Sequence, residues 1–70
     1  MKYLIVIEET ETGYSAYSPD LPGCVATGNT PEETQGNIKS AIKFHIEGLK
    51  LEGLEVPTPG CSYSYVEVAA

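Results

Sequence analysis

The sequence contains no arginine and no tryptophan, and its four lysines stand against ten acidic residues, so the net charge is -6 at pH 7. A protein that binds nucleic acid needs a basic surface to displace counterions from the phosphates. Four scattered lysines do not form such a surface, which argues against direct binding of DNA or RNA. An acidic chain is better suited to staying soluble or to attracting a basic protein partner.

Cysteine pairs of the CxxC type and clusters of histidine are also missing. Cys24 and Cys61 lie 37 positions apart, and His45 is the one histidine, so the sequence indicates neither a zinc site nor a disulfide framework. We expect both thiols to be reduced and to lie in or near the core, in a cytoplasmic protein that uses no metal and no cofactor. The longest apolar run, residues 3–7, is too short for a signal peptide or a membrane span.

The chain is short as well. Its 70 residues predict a single domain, 1–70, and domains of this size rarely obtain more than about 3–5 kcal/mol of stability from their core. Disulfides, a metal or association with another chain usually supply the rest. Since the cysteine pattern indicates neither of the first two, we expect a homo-oligomer, most simply a two-fold dimer.

Apolar periodicity predicts the element order β-β-β-α-β, an α+β fold. The predicted strands are 3–7, 14–18, 24–27 and 62–68, with a polar loop at 9–13, a proline-containing loop at 18–23 and an extended linker at 56–60. The first strand is apolar on both faces, which is typical of the centre of a sheet. A helical crossover leaves the strands that it joins parallel. We therefore expect an antiparallel three-stranded meander plus a fourth strand parallel to the first, in the order 3-2-1-4, with the helix on one face.

The start of the helix has the clearest local signal in the chain. Thr30 is a good N-cap, Pro31 suits the first helical position, and Glu33 completes a capping box. The helix is predicted to begin at Pro31 and to end between Leu49 and Leu54. Its apolar stripe comprises Thr34, Ile38, Ala41, Ile42, His45 and Leu49.

A family pattern is spread over most of the chain. It comprises Gly13 and Tyr14, the run Ser-Pro-Asp-Leu-Pro-Gly-Cys at 18–24, Gly28, Thr30, Glu33, Asn37, Ala41, Ile42, Leu49, Gly53 and the prolines at 57 and 59. Together these residues resemble the HicB-like antitoxin domain, and the run 18–24 is the most specific part. The resemblance implies a partial ribonuclease-H-like fold without that enzyme's activity. It also implies a partner, a small basic toxin of double-stranded-RNA-binding-like fold that cuts RNA.

Many members of that family carry a second domain, of ribbon-helix-helix or helix-turn-helix type, through which they bind their operator. Here the sequence stops two residues after the last predicted strand, at Ala70. We therefore do not expect operator binding to carry over from the resemblance.

The sequence offers little for catalysis. Ribonuclease H activity needs several carboxylates around two metal ions, one of them in the middle of the first strand, and residues 3–7 contain none. Glu8 and Glu9 follow that strand and point to opposite faces. His45 could pair with Cys24 or Cys61 as a nucleophilic dyad, but its place on the apolar stripe favours a packed core histidine. We predict no enzyme activity.

Two surfaces are predicted to bind other chains. The acidic residues Glu8, Glu9, Glu11 and Asp20 are candidates for contact with a basic toxin, although Asp20 is better explained as the cap of its own turn. The predicted oligomer surface comprises Tyr3, Ile5, Tyr17, Phe44, Leu51, Tyr63 and Tyr65, because one helix cannot cover both faces of a sheet. Two functions stay open, an antitoxin that neutralises an RNA-cleaving toxin and a solitary structural or regulatory oligomer without a toxin.

Overall fold

The computed structural model describes all residues, 1–70, and contains three strands followed by one helix. Strand β1 is Val6–Thr10, β2 is Gly13–Tyr17, β3 is Val25–Gly28 and helix α1 is Pro31–Leu51. The strands form one antiparallel sheet in the order β1-β2-β3. The predicted α+β class, the antiparallel meander and the single helix are confirmed.

The first strand differs from its predicted position. β1 continues past Ile7 to Thr10, which pairs with Gly13, so a two-residue turn replaces the predicted loop over 9–13. β1 is an edge strand, whereas β2 is central. The run 3–7 is apolar because Tyr3 and Ile5 pack against the core ahead of the paired part of the strand. The apolar run therefore correctly indicated contact with the core for Tyr3 and Ile5, but Ile7 is exposed and β1 lies at the edge of the sheet and not at its centre.

Helix α1 begins and ends where its local sequence predicts. Thr30 is the N-cap, and its side chain accepts a hydrogen bond from the Glu33 N–H at 3.0 Å. Gly53 follows the last turn with a φ of +70°, and the Leu54 N–H bonds to the Leu49 carbonyl at 2.9 Å. This is the Schellman arrangement, in which a glycine adopts the left-handed backbone that other residues avoid.

α1 covers the face of the sheet that contains Ala16. This alanine of the central strand pairs with Ile7 and Ala26, and it is fully buried together with Ile38 of α1. The core cluster is Ala16, Leu21, Cys24 and Ile38, with Tyr3, Ile5, Ala26, Ala41 and Ile42 packed against it. α1 does not combine the length and the apolar character that crossing a membrane requires.

The sheet and the start of α1 are in close contact at Gly28. A Cβ at this position would lie 2.6 Å from Thr34 Oγ1 and 2.8 Å from the Thr34 backbone nitrogen. Three residues further along α1, Asn37 Nδ2 donates a hydrogen bond to the Thr27 carbonyl at 2.8 Å. Only a glycine at position 28 lets the helix approach β3 this closely.

The predicted fourth strand does not form in this chain. Residues beyond Gly53 belong to no helix or strand, and every residue from 60 to 70 is exposed. The radius of gyration is 13.8 Å, against the roughly 11 Å that a compact domain of this length would have. The parallel strand over 62–68 and the order 3-2-1-4 are not confirmed, since these residues have no neighbouring strand with which to form a ladder.

Candidate interaction surfaces

The face of the sheet opposite α1 carries a row of apolar side chains across all three strands. Val6 pairs with Tyr17, and Tyr17 pairs with Val25, so the three side chains lie next to one another on the same face. Tyr17 and Val25 remain 40% and 61% exposed. We call Val6, Tyr17 and Val25 the open-face row. A contiguous apolar surface of this kind is typical of a contact with another protein chain.

The predicted acidic contact residues do not lie together. Glu8 and Glu9 are adjacent in β1, Glu11 lies in the turn that follows, and all three are exposed. Asp20 lies beyond the other end of β2, at least about 13 Å from the turn along a strand that rises 3.3 Å per residue. The structure thus groups the three glutamates at the hairpin and separates Asp20 from them. It gathers no set of three or more His, Cys, Asp or Glu side chains that could hold a metal ion.

Asp20 contacts the C-terminal part of the chain. Its Oδ2 accepts the backbone N–H of Cys61, and its Oδ1 accepts the thiol, each at 3.4 Å. This hydrogen bond to Asp20 raises the pKa of Cys61, with smaller contributions from desolvation and from the negative carboxylate. Two predictions are therefore wrong: Asp20 does not cap its own turn, and Cys61 is exposed and not in the core. Cysteine 24 is buried, and both thiols are free, as predicted.

A groove of about 420 Å³ lies between the C-terminal half of α1 and the residues that lead into β3. Cys24, Val25, Phe44 and His45 are among the residues that line it. Burial raises the pKa of the Cys24 thiol, which keeps it protonated and therefore a poor nucleophile. His45 is half-buried at the wall of the groove, so it is not the fully packed core histidine that the apolar stripe predicts.

The residues predicted for an oligomer surface fall into separate places. Tyr3 and Ile5 are half-buried on the side of α1 and contribute to the core, whereas Tyr17 belongs to the open-face row. The remaining four, Phe44, Leu51, Tyr63 and Tyr65, are largely exposed. The structure therefore does not bring the seven residues together on one surface.

Sequence reasoning missed Val25, which completes the open-face row. Alternation assigns a residue to one face of a strand, but which faces of neighbouring strands coincide depends on the register, and a shift of one residue reverses it. The pairing of Val25 with Tyr17 is fixed by the loop between β2 and β3. The length of that loop alone does not determine where pairing resumes.

Known proteins are similar in sequence to this chain over nearly its whole length. The family profile described as "HicB_like antitoxin of bacterial toxin-antitoxin system" matches residues 3–67. A 14.9 kDa protein of Haemophilus phage HP1 is 41% identical over 94% of this chain and 50% of its own length. Antitoxin HicB 2 of Photorhabdus laumondii is 33% identical over 100% of this chain and 51% of its own length. The chain thus spans about half the length of these two relatives.

A relative closer to this chain in length is the UPF0150 protein of Thermoplasma acidophilum. It is 43% identical over 81% of this chain and 84% of its own length. The HicB-like sequence therefore occurs both as part of a longer protein and as most of a short one.

The fold matches solved structures at a level of sequence identity that supports common descent. A chain of the HicA3 and HicB3 toxin-antitoxin complex is similar with a TM-score of 0.74 and 38% identity, over 86% of this chain and 70% of that one. The Antitoxin HicB3 crystal structure gives a TM-score of 0.69 and 40% identity, over 81% of this chain and 42% of that one. Since the family profile, the curated relatives and the fold agree, the chain belongs to the HicB-like antitoxin family of bacterial toxin-antitoxin systems.

Proposed function

We propose that this chain neutralises a small, basic, RNA-cleaving toxin by binding over the toxin's active surface, and that the chain itself catalyses no reaction. The observation that carries this proposal is the similarity to a chain of the HicA3 and HicB3 toxin-antitoxin complex, at 38% identity over most of both chains. An inhibitor of this kind acts by occupying a surface, so it needs complementary shape and charge and no catalytic group.

The hairpin end of the sheet has the properties that such a contact requires. Glu8 lies two residues after Val6 in β1 and therefore on the same face as the open-face row. Glu9 and Glu11 extend the negative charge to the other face and to the turn. An apolar centre with a charged rim is the usual composition of a protein interface. We assign the apolar contact to the open-face row and the charged rim to the three glutamates.

Asp20 has a different part in this proposal. Its carboxylate already accepts two hydrogen bonds from Cys61, so a direct ion pair with a toxin would compete with them. Asp20 contributes to the net charge of -6, which attracts a basic partner over distance and raises the rate of encounter. Glu8, Glu9 and Glu11 are the acids that contact the toxin.

A binding experiment with the neighbouring gene product tests the proposal. The probe is the product of an adjacent basic open reading frame of roughly 60–90 residues, the size of a small domain. Its RNA cleavage should stop on addition of this chain. The association rate should fall as salt rises, and Glu8→Lys with Glu9→Lys should lower it by about tenfold.

A matched control separates local charge from total charge. Glu47 is exposed on α1, away from the hairpin, and Glu47→Lys with Glu55→Lys changes the net charge by the same amount. If the control variant slows association as much as the hairpin variant does, the contact is not at the hairpin. An association rate that is indifferent to salt would contradict the electrostatic part, and RNA cleavage that continues at saturation would contradict the function.

The alternative function is a solitary structural or regulatory oligomer without a toxin. The exposed open-face row favours it, because self-association would cover this row. Under either function we place the protein in the cytoplasm, where its two free cysteines stay reduced. The partial ribonuclease-H-like sheet that the resemblance implies, with a fourth strand placed beside β1, also stays part of the proposal.

A further inference from the structure

The end of the chain has the sequence of a strand without the structure of one. We call residues 61–70 the C-terminal segment. Tyr63 and Tyr65 lie on one side of its alternating pattern, and their rings meet edge to face with centroids 5.9 Å apart. Val66 and Val68 alternate with them, and all four side chains are at least 74% exposed. Tyrosine and valine are among the residues most enriched in strands. The segment therefore has the propensity to form a strand and lacks only a neighbouring strand to pair with.

A receiving edge is present on the same molecule. β1 pairs with β2 on one side only, so its other side presents unpaired backbone N–H and C=O groups. Just ahead of β1 in the sequence, between residues 1–5 and α1, lies a groove of about 230 Å³ lined mainly by Met1, Tyr3, Ile5, Ile38 and Ile42. We call it the edge groove. An added strand that runs along β1 and the residues ahead of it would satisfy the unpaired backbone groups and place alternate side chains in this groove.

The path of the linker directs the segment away from its own β1. The Tyr3 hydroxyl donates a hydrogen bond to the Pro57 carbonyl at 2.6 Å, ahead of β1. Four residues later, Cys61 is held by Asp20, in the loop that follows β2. The chain therefore moves from the side of β1 toward the side of β2 just before the segment begins. A return to the far edge of its own β1 would cross two strand spacings, about 10 Å, and use about three residues, which would take Tyr63 out of any ladder.

We infer that the C-terminal segment pairs with the free edge of β1 in a second copy of this chain, each copy giving a segment and receiving one. The alternating side chains of the segment suit the two faces of a strand that lies beside β1. Val66 and Val68 enter the edge groove, and Tyr63 and Tyr65 lie on the opposite face beside Val6 of the open-face row. A reciprocal exchange of this kind closes with two-fold symmetry and leaves no unpaired copy.

Charge and exposure agree with a second copy as the occupant. Identical chains of net charge -6 repel each other, but Glu67 is the only charged side chain between residues 61 and 70, and Lys2 stands just ahead of the receiving edge. Val66 and Val68, which are 81% and 74% exposed in the single chain, would be covered in the edge groove of the other copy. The exchange is independent of whether the chain has a toxin partner.

Sedimentation equilibrium of the full chain at micromolar concentration gives the first test. The exchange predicts twice the chain mass of 7.5 kDa. Val66→Asp should raise the dimer dissociation constant at least about 100-fold, because it would bury an unpaired carboxylate. Leu51→Asp is the matched control, since Leu51 is exposed on α1 and lies outside the edge groove, and it should leave the dimer unchanged.

An isotope-filtered NOE measurement on a mixture of carbon-13-labelled and unlabelled wild-type chains locates the contact without any substitution. Cross-peaks between the two kinds of chain should join the methyl groups of Val66 and Val68 to those of Ile5 and Ile42. A mass of 7.5 kDa throughout, as expected if only a toxin takes up the segment, overturns the inference. So does a dimer that Leu51→Asp dissociates and Val66→Asp does not, or a dimer whose segment gives cross-peaks only within its own chain.

Discussion

Helix α1 and the C-terminal segment have very different structures, although the segment is the more apolar of the two, with seven apolar residues in ten against seven in the 21 of α1. α1 satisfies its backbone groups internally, through i to i-4 hydrogen bonds and through caps at Thr30 and Gly53. A strand satisfies none of its own backbone groups and depends on a neighbour. The segment has strand-forming residues and no neighbour, so it forms no strand. The comparison shows that strand propensity describes which residues fit a sheet and does not create one.

The largest effect should come from the core beneath α1. Ile38 is fully buried, and Ile38→Ala should lower the free energy of unfolding by about 2–5 kcal/mol through lost burial and a cavity. A domain of this size has little more stability than that, so the variant should be largely unfolded. Urea denaturation followed by circular dichroism measures it.

Tyr65→Ser in the C-terminal segment is the control for Ile38→Ala. The side chain of Tyr65 is 93% exposed, so at concentrations where the chain sediments as a monomer its loss should change the free energy of unfolding by less than about 0.5 kcal/mol. A variant at Tyr65 as destabilising as Ile38→Ala would mean that the segment is part of the folded body.

Two glycine substitutions should change the stability of the protein in opposite directions. Gly28→Ala would place a methyl group 2.6 Å from Thr34 Oγ1, and forcing β3 away from α1 should cost about 1–3 kcal/mol. Gly36 lies inside α1 with open space around its Cβ position, so Gly36→Ala should stabilise the protein by up to about 1 kcal/mol. Thermal denaturation of both variants should show one melting temperature below the wild type and one above it. Equal shifts in the same direction would contradict the close contact at Gly28.

Removal of the helix cap should have a smaller effect. Thr30→Ala deletes the acceptor of the Glu33 N–H and should lower the free energy of unfolding by about 1 kcal/mol. Ser40→Ala, at an exposed position in the middle of α1, is the matched control and should not destabilise the protein. If both variants cost the same, the start of α1 does not depend on this cap.

The helix could be predicted to within a residue at its start, because the signals at Thr30, Pro31 and Gly53 act on neighbouring backbone groups. The position of β1 could not be predicted in this way. Its apolar run indicates contact with the core, whereas the two-residue turn sets its pairing with β2 and keeps Glu8 and Glu9 paired with that strand. Local chemistry therefore predicts helix boundaries better than strand boundaries.

The candidate surface was predicted less well, for two further reasons. Asp20 and Cys61 are 41 positions apart in the sequence, and no local sequence pattern predicts a contact between residues so far apart. The open-face row depends on the register of all three strands, which alternation alone does not determine. The acidic character of the hairpin, in contrast, could be predicted because the glutamates are close together in the sequence.

The smallest effect concerns the point where the C-terminal segment is attached. Asp20 raises the pKa of Cys61, so Asp20→Asn should lower that pKa and speed alkylation of Cys61 by iodoacetamide severalfold at mildly alkaline pH. The folded chain holds this proton more tightly than the unfolded chain does. Its contribution to stability is therefore present at neutral pH and is lost as the pH rises through the raised pKa. Alkylation followed by mass spectrometry measures the rate, with buried Cys24 as the internal control. An unchanged rate in the variant would show that Asp20 does not hold Cys61 in solution.

The edge-to-face pair of Tyr63 and Tyr65 gives the molecule a built-in optical reporter. The chain has no tryptophan, so tyrosines dominate its near-ultraviolet spectrum, and two of the five form this coupled pair in the C-terminal segment. Fixing the two rings against a second chain would give them a strong circular dichroism signal, whereas free rotation averages it away. The state of the segment can thus be followed in unlabelled wild-type protein as concentration, salt or a partner is varied.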